Sequence, residues 1–297
     1  MFSGLSAFPI TPVNAAGIDE NAFLRLLKRL TRANVDSLGV LGSTGSYAWF
    51  TREQRRRITE LAVAHAEGIP VMVSIGAFST DEVLRLAEDA QQAGASALLL
   101  PALAYQGLTQ EEVYGLYHDV AHAVSRPICV YDNPRTTHTQ FSEALYARIA
   151  TLPNIASFKI PGVPEALPAA QQHIAALREQ LPAHIRLGIS GDQFAATALQ
   201  AGCDLWYSVC AGLFPHAAKA LYEAVKGESS QCAAAQTQRL EPLWALFRKH
   251  NGSLRVMAAA AHLLGDTDAV CLPRPLRMLT DADTAEVQRV ITELGLT

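Results

Sequence analysis

The sequence predicts an α/β protein built as a (β/α)8 barrel, the TIM-barrel architecture, with a C-terminal helical extension. Eight short apolar runs alternate with longer amphipathic stretches at a spacing of about 30 residues, which is typical of βα units. Most of the runs are apolar on both faces, as strands covered by helices require. No stretch rich in Gly, Ser or Pro separates the units, and this favours one closed barrel over an open sheet.

The eight apolar runs are predicted to be the barrel strands in chain order. They are Leu5–Ile10, Ser37–Gly42, Pro70–Gly76, Ala97–Pro101, Pro127–Asp132, Ile155–Ile160, Ile185–Ser190 and Leu205–Val209. Helix-like stretches lie between them, and Asp19–Ala33, for example, places four large apolar side chains on one face. Three further helices are predicted to begin after Thr51, Ser79 and Thr109, because each is followed three residues later by Glu or Gln.

The C-terminal part of the chain shows helical periodicity and no further strand pair. Apolar residues predict helices near Pro215–Val225, Ala233–Arg248 and Leu254–Leu264. The first can serve as the eighth barrel helix, and the others belong to the extension. The segment Cys271–Leu276 contains two prolines, which end a helix and favour an extended or turn conformation. We therefore expect a barrel at 1–225 and a C-terminal helical extension packed on it at 226–297.

Composition limits the classes of partner. The chain has 297 residues, of which 49% are hydrophobic and 18% charged, so it can bury a large core and is too apolar to be disordered. A formal net charge of −4 without runs of like charge predicts no nucleic acid and no membrane partner. The sequence lacks a signal-peptide pattern and has five scattered cysteines, so we expect a cytoplasmic protein with reduced, mostly buried thiols.

One lysine is the candidate nucleophile. The chain has five lysines, and the other four fall on helix-like stretches where a solvated amine is expected. Lys159 instead lies inside the sixth predicted strand, with no carboxylate among its sequence neighbours. If it faces the barrel interior, burial disfavours the ammonium form, lowers its pKa and lets the amine attack a carbonyl. The alternative is a side chain that points outward between helices.

Polar residues at other strand ends supply candidate partners, because active sites in such barrels lie at the C-terminal ends of the strands. Ser43 and Thr44 lie in a Gly-Ser-Thr-Gly turn that suits a carboxylate, although a capped loop is an equal alternative. Tyr131 ends the fifth strand and could relay protons or close the core. Tyr105 follows the fourth strand and Ser208 lies at the end of the eighth, where each could contact a substrate.

The sequence predicts no bound cofactor and no metal. No Gly-x-Gly-x-x-Gly follows a predicted strand. His118 and His122 are four residues apart, but Asp119 stands where the His-Glu-x-x-His motif has glutamate, and the stretch is typical of an outer helix. Among carboxylates at strand ends only Asp132 and Asp192 are available, too few for a metal-dependent aldolase.

Taken together, these residues resemble the dihydrodipicolinate synthase / N-acetylneuraminate lyase family of Schiff-base aldolases. The motifs that carry the resemblance are Ala7–Pro12, Gly42–Gly45, Tyr131–Pro134, Lys159, Ser190–Asp192 and Tyr207–Val209. The resemblance implies that Lys159 forms an imine with pyruvate or a related 2-oxo acid. It also implies that Tyr131 relays protons, that Ser43 and Thr44 bind the carboxylate, and that the chain forms a homo-oligomer, a dimer or tetramer.

Three departures from the family's pattern concern the second substrate. Ser46 stands where the turn commonly has an acidic residue. Thr136 stands where synthases that use aspartate semialdehyde carry an arginine, and Arg135 precedes that position by one residue. Leu103 lies near the position of a tyrosine that reaches into the neighbouring subunit, with Tyr105 two residues later. Arg135 and Thr136 are therefore candidates for binding the second substrate, and we expect aspartate semialdehyde to condense slowly.

These observations predict a metal-independent Schiff-base lyase or aldolase that acts on pyruvate or a related small 2-oxo acid. Two alternatives stay open. One is a true 4-hydroxy-tetrahydrodipicolinate (dihydrodipicolinate) synthase, and the other is a non-catalytic barrel that binds a 2-oxo acid. In each case the expected partners are small molecules, a 2-oxo acid and an aldehyde for the enzymes.

Overall fold

Eight parallel strands close into a barrel in the computed structural model, which describes residues 1–227 and 230–297. The strands in chain order are β1 (Gly4–Ala7), β2 (Val13–Asn14), β3 (Gly17–Ile18), β4 (Ser37–Val40), β5 (Val71–Ser74), β6 (Ala97–Pro101), β7 (Ile128–Tyr131), β8 (Ile155–Ile160), β9 (Arg186–Ile189) and β10 (Leu205–Ser208). β2 and β3 form a separate hairpin, while β1 pairs with both β4 and β10 and so closes the barrel. Each predicted apolar run overlaps one barrel strand, and the predicted fold class is confirmed.

Helices cover the outside of the barrel and continue beyond it. They are α1 (Glu20–Arg32), α2 (Arg52–Ala64), α3 (Thr80–Gln92), α4 (Gln110–Ala123), α5 (Pro134–Thr137), α6 (Glu143–Ala150), α7 (Leu167–Gln180), α8 (Ala195–Gln200), α9 (Pro215–Lys226), α10 (Ser230–Lys249), α11 (Leu254–Leu263) and α12 (Asp281–Glu293). Thr51, Ser79 and Thr109 accept backbone N–H bonds at the starts of α2, α3 and α4, as predicted.

Two elements differ from the sequence prediction. The first strand ends at Ala7 rather than Ile10, because Pro9 lacks the N–H that would continue the ladder, although the N–H of Phe8 still donates to Ser208 O at 2.8 Å. The structure also adds α12, which is not among the predicted helices although its buried residues Val287, Val290 and Ile291 recur at helical spacing. Thr280 caps this helix by accepting a bond from the N–H of Asp283.

The barrel interior and the layer between barrel and helices form separate apolar cores. The interior core consists of Phe8, Met72, Ala97, Leu99, Cys129, Tyr131, Leu205 and Tyr207. Since successive residues of a strand point to opposite sides, Tyr131 faces this interior while its neighbour Val130 packs in the outer layer. The aromatic part of the interior core lies at the strand ends, where we describe the candidate site.

Four of the five cysteines are buried thiols, Cys129, Cys203, Cys210 and Cys271, and Cys232 is exposed. The expectation of mostly buried thiols is therefore confirmed. Across the described ranges, none of the helices combines the length and apolar character needed to cross a bilayer.

Candidate active site

The amine of Lys159 lies inside the barrel near the C-terminal ends of the strands. Its side chain is only 3% exposed, and β8 holds it between Tyr131 of β7 and Gly188 of β9 in the strand register. Three aromatic rings surround Nζ, whose distances to the ring centroids are 4.8 Å for Tyr131, 5.0 Å for Phe8 and 5.5 Å for Tyr207. The alternative of an outward-pointing Lys159 is therefore wrong.

The surroundings of Nζ favour the neutral amine. Burial is the largest influence and lowers the pKa of Lys159, while the weaker electrostatic effects of Tyr131, Cys129 and Asp192 raise it. No carboxylate within the described parts of the chain forms an ion pair with this amine. The direct polar partner is a hydroxyl, since Nζ donates a hydrogen bond to Ser190 Oγ at 2.6 Å. A desolvated lysine without an ion pair is suited to nucleophilic attack on a carbonyl.

The carboxylate of Asp192, in the loop after β9, is buried and accepts three hydrogen bonds from residues on and just after β10. It accepts hydrogen bonds from Trp206 Nε1 at 2.9 Å, from the N–H of Val209 at 3.2 Å and from the N–H of Cys210 at 2.9 Å. Burial raises the pKa of Asp192, and these donors act in the opposite direction. Asp192 therefore acts on Lys159 through space and not as a salt-bridge partner.

The phenol of Tyr131 connects two polar residues at the mouth of the barrel. Its oxygen lies 3.2 Å from Oγ of Ser43, near the start of the loop after β4. The same oxygen accepts a hydrogen bond from Asn133 Nδ2 at 2.7 Å. With the amide as donor, the phenol proton is left for Ser43 or for a bound molecule, so a short polar chain begins beside the amine.

The loop that carries Ser43 is held close to the barrel by a glycine. A Cβ on Gly42 would lie 2.9 Å from Cδ1 of Phe8, so a larger residue would displace the ring that borders the amine. Two residues after Thr44, the turn closes through a bond from the N–H of Ser46 to Ser43 O at 3.1 Å, with Ser46 at φ 58°. The hydroxyl of Ser46 is buried without a hydrogen-bond partner.

Thr44 lies beside Ser43 in sequence but in different surroundings. It is 7% exposed and borders a narrow apolar cavity together with Phe8, Leu26 and Met257. This cavity lies towards α1 and α11. Of the two predicted hydroxyls, the structure thus brings Ser43 to Tyr131 and places Thr44 at the edge of the site.

Ser208 and Tyr105 occupy opposite extremes of exposure. Ser208 is fully buried, and its Oγ accepts a bond from the N–H of Ala211 at 2.9 Å within the loop after β10. Tyr105 is 89% exposed in the single chain. Neither hydroxyl contacts Lys159, so a substrate role for either remains a prediction.

The two candidates for the second substrate lie on the surface. Arg135 is exposed, and its guanidinium Nη1 donates to Asn251 Oδ1 at 3.3 Å. Thr136 is also exposed, and its hydroxyl lies 3.5 Å from Asn133 O. The structure therefore does not bring Arg135 or Thr136 to Lys159.

Asp132 lies next to Tyr131 but faces the helix layer. One carboxylate oxygen accepts a bond from Tyr146 Oη at 2.6 Å, and the other is buried without a partner. Burial raises the pKa of Asp132 to about 6. Tyr146 in turn stacks on Phe158 with 4.7 Å between ring centroids. Asp132 is thus an outer-layer carboxyl and offers no oxygen to the barrel mouth.

A buried arginine adjoins the site and is not identifiable from the sequence. Arg55 is 6% exposed and donates to Ser74 O and Gly76 O, both at 2.8 Å, at the end of β5. Its guanidinium lies 5.4 Å from the centroid of the buried Tyr47 ring, and burial lowers the pKa of Arg55 to about 10. Because α2 contains four arginines, no sequence pattern distinguishes the one that faces inward.

Ser190 and Asn133 also contribute to the site, but the sequence indicates them only weakly. Ser190 ends the seventh predicted strand, which is the position where site residues concentrate, yet many serines at such strand ends only form turns. Asn133 precedes a proline, and an asparagine there is usually a cap or turn residue. Only the three-dimensional register shows that these side chains point to Lys159 and Tyr131.

The arrangement can perform amine-based carbonyl chemistry. It combines a buried amine, a phenol linked to a hydroxyl and an amide, and an aromatic wall that keeps water away from the amine. The candidate nucleophile, Lys159, and the candidate proton donor, Tyr131, lie on neighbouring strands at the C-terminal face of the barrel. No part of this chemistry requires a metal or an organic cofactor.

Comparisons with known proteins show the family and the fold. The family described as "Dihydrodipicolinate synthetase family" matches residues 1–294. A 4-hydroxy-tetrahydrodipicolinate synthase from Nitrobacter hamburgensis is 31% identical over 99% of this chain and 97% of its own length. One from Phenylobacterium zucineum is 29% identical over 100% of this chain and 98% of its own. The crystal structure of a dihydrodipicolinate synthase from Agrobacterium tumefaciens is 44% identical, covers 99% of this chain and 98% of its own, and superimposes with a TM-score of 0.94.

Proposed function

This chain belongs to the dihydrodipicolinate synthetase family, and we propose that it is a Schiff-base-forming lyase whose Lys159 binds pyruvate or a related small 2-oxo acid. Members of the family are carbon–carbon lyases of the aldolase type, and this chain is such an enzyme. The single observation that carries the finer assignment is the amine of Lys159. It is 3% exposed, forms no ion pair with any residue that the structure describes, and lies near the C-terminal ends of the barrel strands.

The proposed reaction begins with the neutral amine. Nζ attacks C2 of the 2-oxo acid, the C2–O bond breaks, and the oxygen leaves as water, so that a cationic imine joins Lys159 to the substrate. The cation then accepts the electron pair of a neighbouring C–C or C–H bond, which gives a nucleophilic enamine. Ser43 and Tyr131 lie where a hydroxyl and a phenol can bind the carboxylate and carry protons.

The second substrate is proposed to be an aldehyde other than aspartate semialdehyde. An arginine holds a carboxylate through two parallel hydrogen bonds, and Thr136 cannot form them. Arg135 is turned towards Asn251 and does not replace the missing contact. The second candidate function is a true 4-hydroxy-tetrahydrodipicolinate synthase, which the names of the relatives favour. The non-catalytic barrel is set aside, because members of the family are carbon–carbon lyases.

Borohydride trapping tests the imine. The protein is incubated with pyruvate and sodium borohydride, digested, and searched by mass spectrometry for the reduced adduct. We expect the adduct on Lys159, no adduct in Lys159→Ala, and a normal adduct in Lys28→Ala, which changes an exposed lysine on α1. An adduct on a helix lysine, or none with any 2-oxo acid, contradicts the proposal.

A panel of aldehydes tests the second substrate. After trapping has identified the 2-oxo acid, kcat/KM is measured for aspartate semialdehyde and for hydroxylated and apolar aldehydes. We expect aspartate semialdehyde to be among the poorer acceptors. If it exceeds every other aldehyde by about tenfold or more, a difference of about 1.4 kcal/mol in transition-state binding, the synthase assignment replaces ours.

We also propose that the chain forms a homo-oligomer, a dimer or tetramer. Trp49, Phe78 and Tyr105 expose 48%, 68% and 89% of their surfaces, and each lies in a loop that follows one of three consecutive barrel strands. Large apolar side chains grouped in this way are typical of interfaces. Sedimentation or light scattering measures the mass in solution, and we expect Tyr105→Ser to weaken the assembly. A monomer at all concentrations contradicts this proposal.

A further inference from the structure

Asn133 occupies a helix-capping position without capping the helix. It directly precedes α5, and an asparagine at that position commonly accepts a bond from a backbone N–H of the first turn. Here the side chain makes no capping bond. Its Nδ2 donates instead to the phenol oxygen of Tyr131 at 2.7 Å.

The backbone of Asn133 is anchored by other means, so its side chain is not needed to hold the turn. Its carbonyl oxygen accepts bonds from the N–H groups of Thr136 and Thr137, both at 3.0 Å, and from Thr137 Oγ1 at 3.0 Å. The turn is thus fixed through the main chain and through Thr137, which is fully buried. The amide is directed to the phenol of Tyr131, whose ring centroid lies 4.8 Å from Nζ of Lys159.

We propose that Asn133 is a positioning residue for the proton relay of Tyr131. The inference rests on the proposed function, because it concerns the imine formed at Lys159. By donating to the phenol oxygen, the amide leaves the phenol proton directed to Ser43 Oγ, 3.2 Å away, or to the reacting atoms. It also stabilises the phenolate that forms when Tyr131 gives up this proton, since a hydrogen bond to a charged oxygen is about twice as strong as a neutral one.

The relay forms a phenolate at a defined point of the reaction. When the carbinolamine collapses, its hydroxyl takes the proton of Tyr131 and leaves as water, which produces the cationic imine and the phenolate together. The phenolate then removes a proton from C3 of the imine, the C–H electron pair enters the C2–C3 bond, and the imine becomes a neutral enamine. Tyr131 is protonated again, and no oxidant or further reactant is consumed.

Hydrogen exchange into pyruvate isolates these steps from the second substrate. The protein is incubated with pyruvate in D2O, and loss of the C3 hydrogens is followed by proton NMR. Removing a hydrogen bond to a charged group reduces a rate by about 10-fold to 100-fold. We therefore expect Asn133→Ala to exchange at least about tenfold more slowly than the parent, and Asn133→Asp to be slower still, because a carboxylate holds the phenol proton and repels the phenolate.

Two controls separate the relay from a structural role. Gln140→Glu makes the same amide-to-carboxylate change at an exposed position of the same connection between β7 and α6, and we expect it to exchange like the parent. The ratio of the Asn133→Asp rate to the parent rate should rise as the pH falls towards the ordinary aspartic acid pKa, about 3.9, because a protonated carboxyl can donate again. A merely structural contact would give a ratio that does not change with pH.

The outcomes are distinct. Normal equilibrium trapping on Lys159 in all variants, with slow exchange only in the two Asn133 variants, supports the proposal. If the parent exchanges and Asn133→Ala stays within about threefold of it, the positioning role is wrong while the imine function stands. If the Asn133 variants exchange the C3 hydrogens of pyruvate normally and are defective only in carbon–carbon bond formation, the proposal is also overturned. Asn133 would then act in binding the second substrate. If the parent neither traps nor exchanges, the proposed function itself fails.

Discussion

Tyr131 and Lys159 are register partners on neighbouring strands, β7 and β8, and Nζ of Lys159 lies 4.8 Å from the centre of the Tyr131 ring. Residues paired in this way point to the same side of a sheet, so the backbone ladder itself places the phenol beside the amine. Ser43 approaches the phenol from the loop after β4, whereas the amine is supplied by β8. The site therefore depends on closure of the barrel. Because the strand ladder holds the backbone of these residues, the effect of a substitution in the site can be assigned to the side chain that is changed.

The first prediction concerns the Tyr131 hydroxyl. We expect Tyr131→Phe to reduce C3 exchange of pyruvate in D2O by at least about 100-fold, the lower end of what a positioned acid or base contributes. The ring and its packing are retained, so the thermal unfolding temperature should change little compared with this loss. A rate within about threefold of the parent means that Tyr131 only packs in the barrel interior.

The second prediction concerns the hydroxyl of Ser190, which accepts a hydrogen bond from Nζ of Lys159. Ser190→Ala removes the hydrogen bond that stabilises the ammonium form, so the pKa of Lys159, already lowered by burial, should fall further. We expect the acid limb of the pH profile of borohydride trapping to move to lower pH, with Lys159 still modified. Ser190→Thr, which keeps the hydroxyl, serves as the control. An unmoved acid limb contradicts a role of Ser190 in the charge state of the amine.

The barrel and its lysine follow from the sequence, whereas the direction of several polar side chains does not. Apolar runs locate the strands because burial on both faces leaves a pattern in composition, and Lys159 is the only lysine that lies within such a run. The sequence indicates Arg135 and Thr136 only by their position relative to a motif, and their orientation depends on how the turn after β7 winds into α5. Arg55 is hidden among the arginines of α2, and only packing shows which of them is buried.

The third prediction concerns the cost of burying the amine. Because burial lowers the pKa of Lys159 below its unfolded value of about 10.4, the unfolded chain binds more protons between the two values. The free energy of unfolding should therefore rise with pH across that interval. At a pH below the native pKa, Lys159 is buried in its charged ammonium form, which costs stability. We expect Lys159→Met to be inactive and to be more stable at pH 7 by about 0.5–2 kcal/mol. Denaturant titrations of this variant and of Lys28→Met, an exposed change, provide the comparison.

The last prediction concerns Asp132, which is 7% exposed and has one carboxylate oxygen without a partner. Its pKa is raised to about 6 by burial, so the native state binds more protons than the unfolded state between about 3.9 and that value. The free energy of unfolding should fall as the pH rises through this window, and above it the full cost of the buried charge, about 3 kcal/mol, is present.

Asp132→Asn removes the charge and keeps an oxygen that can accept from Tyr146 Oη. We therefore expect this variant to lose the downward slope between about pH 4 and pH 6, and to exceed the parent in stability at pH 7 but not at pH 4. Denaturant unfolding at unit pH steps measures the difference, with Asp268→Asn as an exposed aspartate control that should leave the slope unchanged. If Asp132→Asn follows the parent at every pH, the carboxyl does not titrate in this window, and the stabilising bond from Tyr146 outweighs the cost of burial.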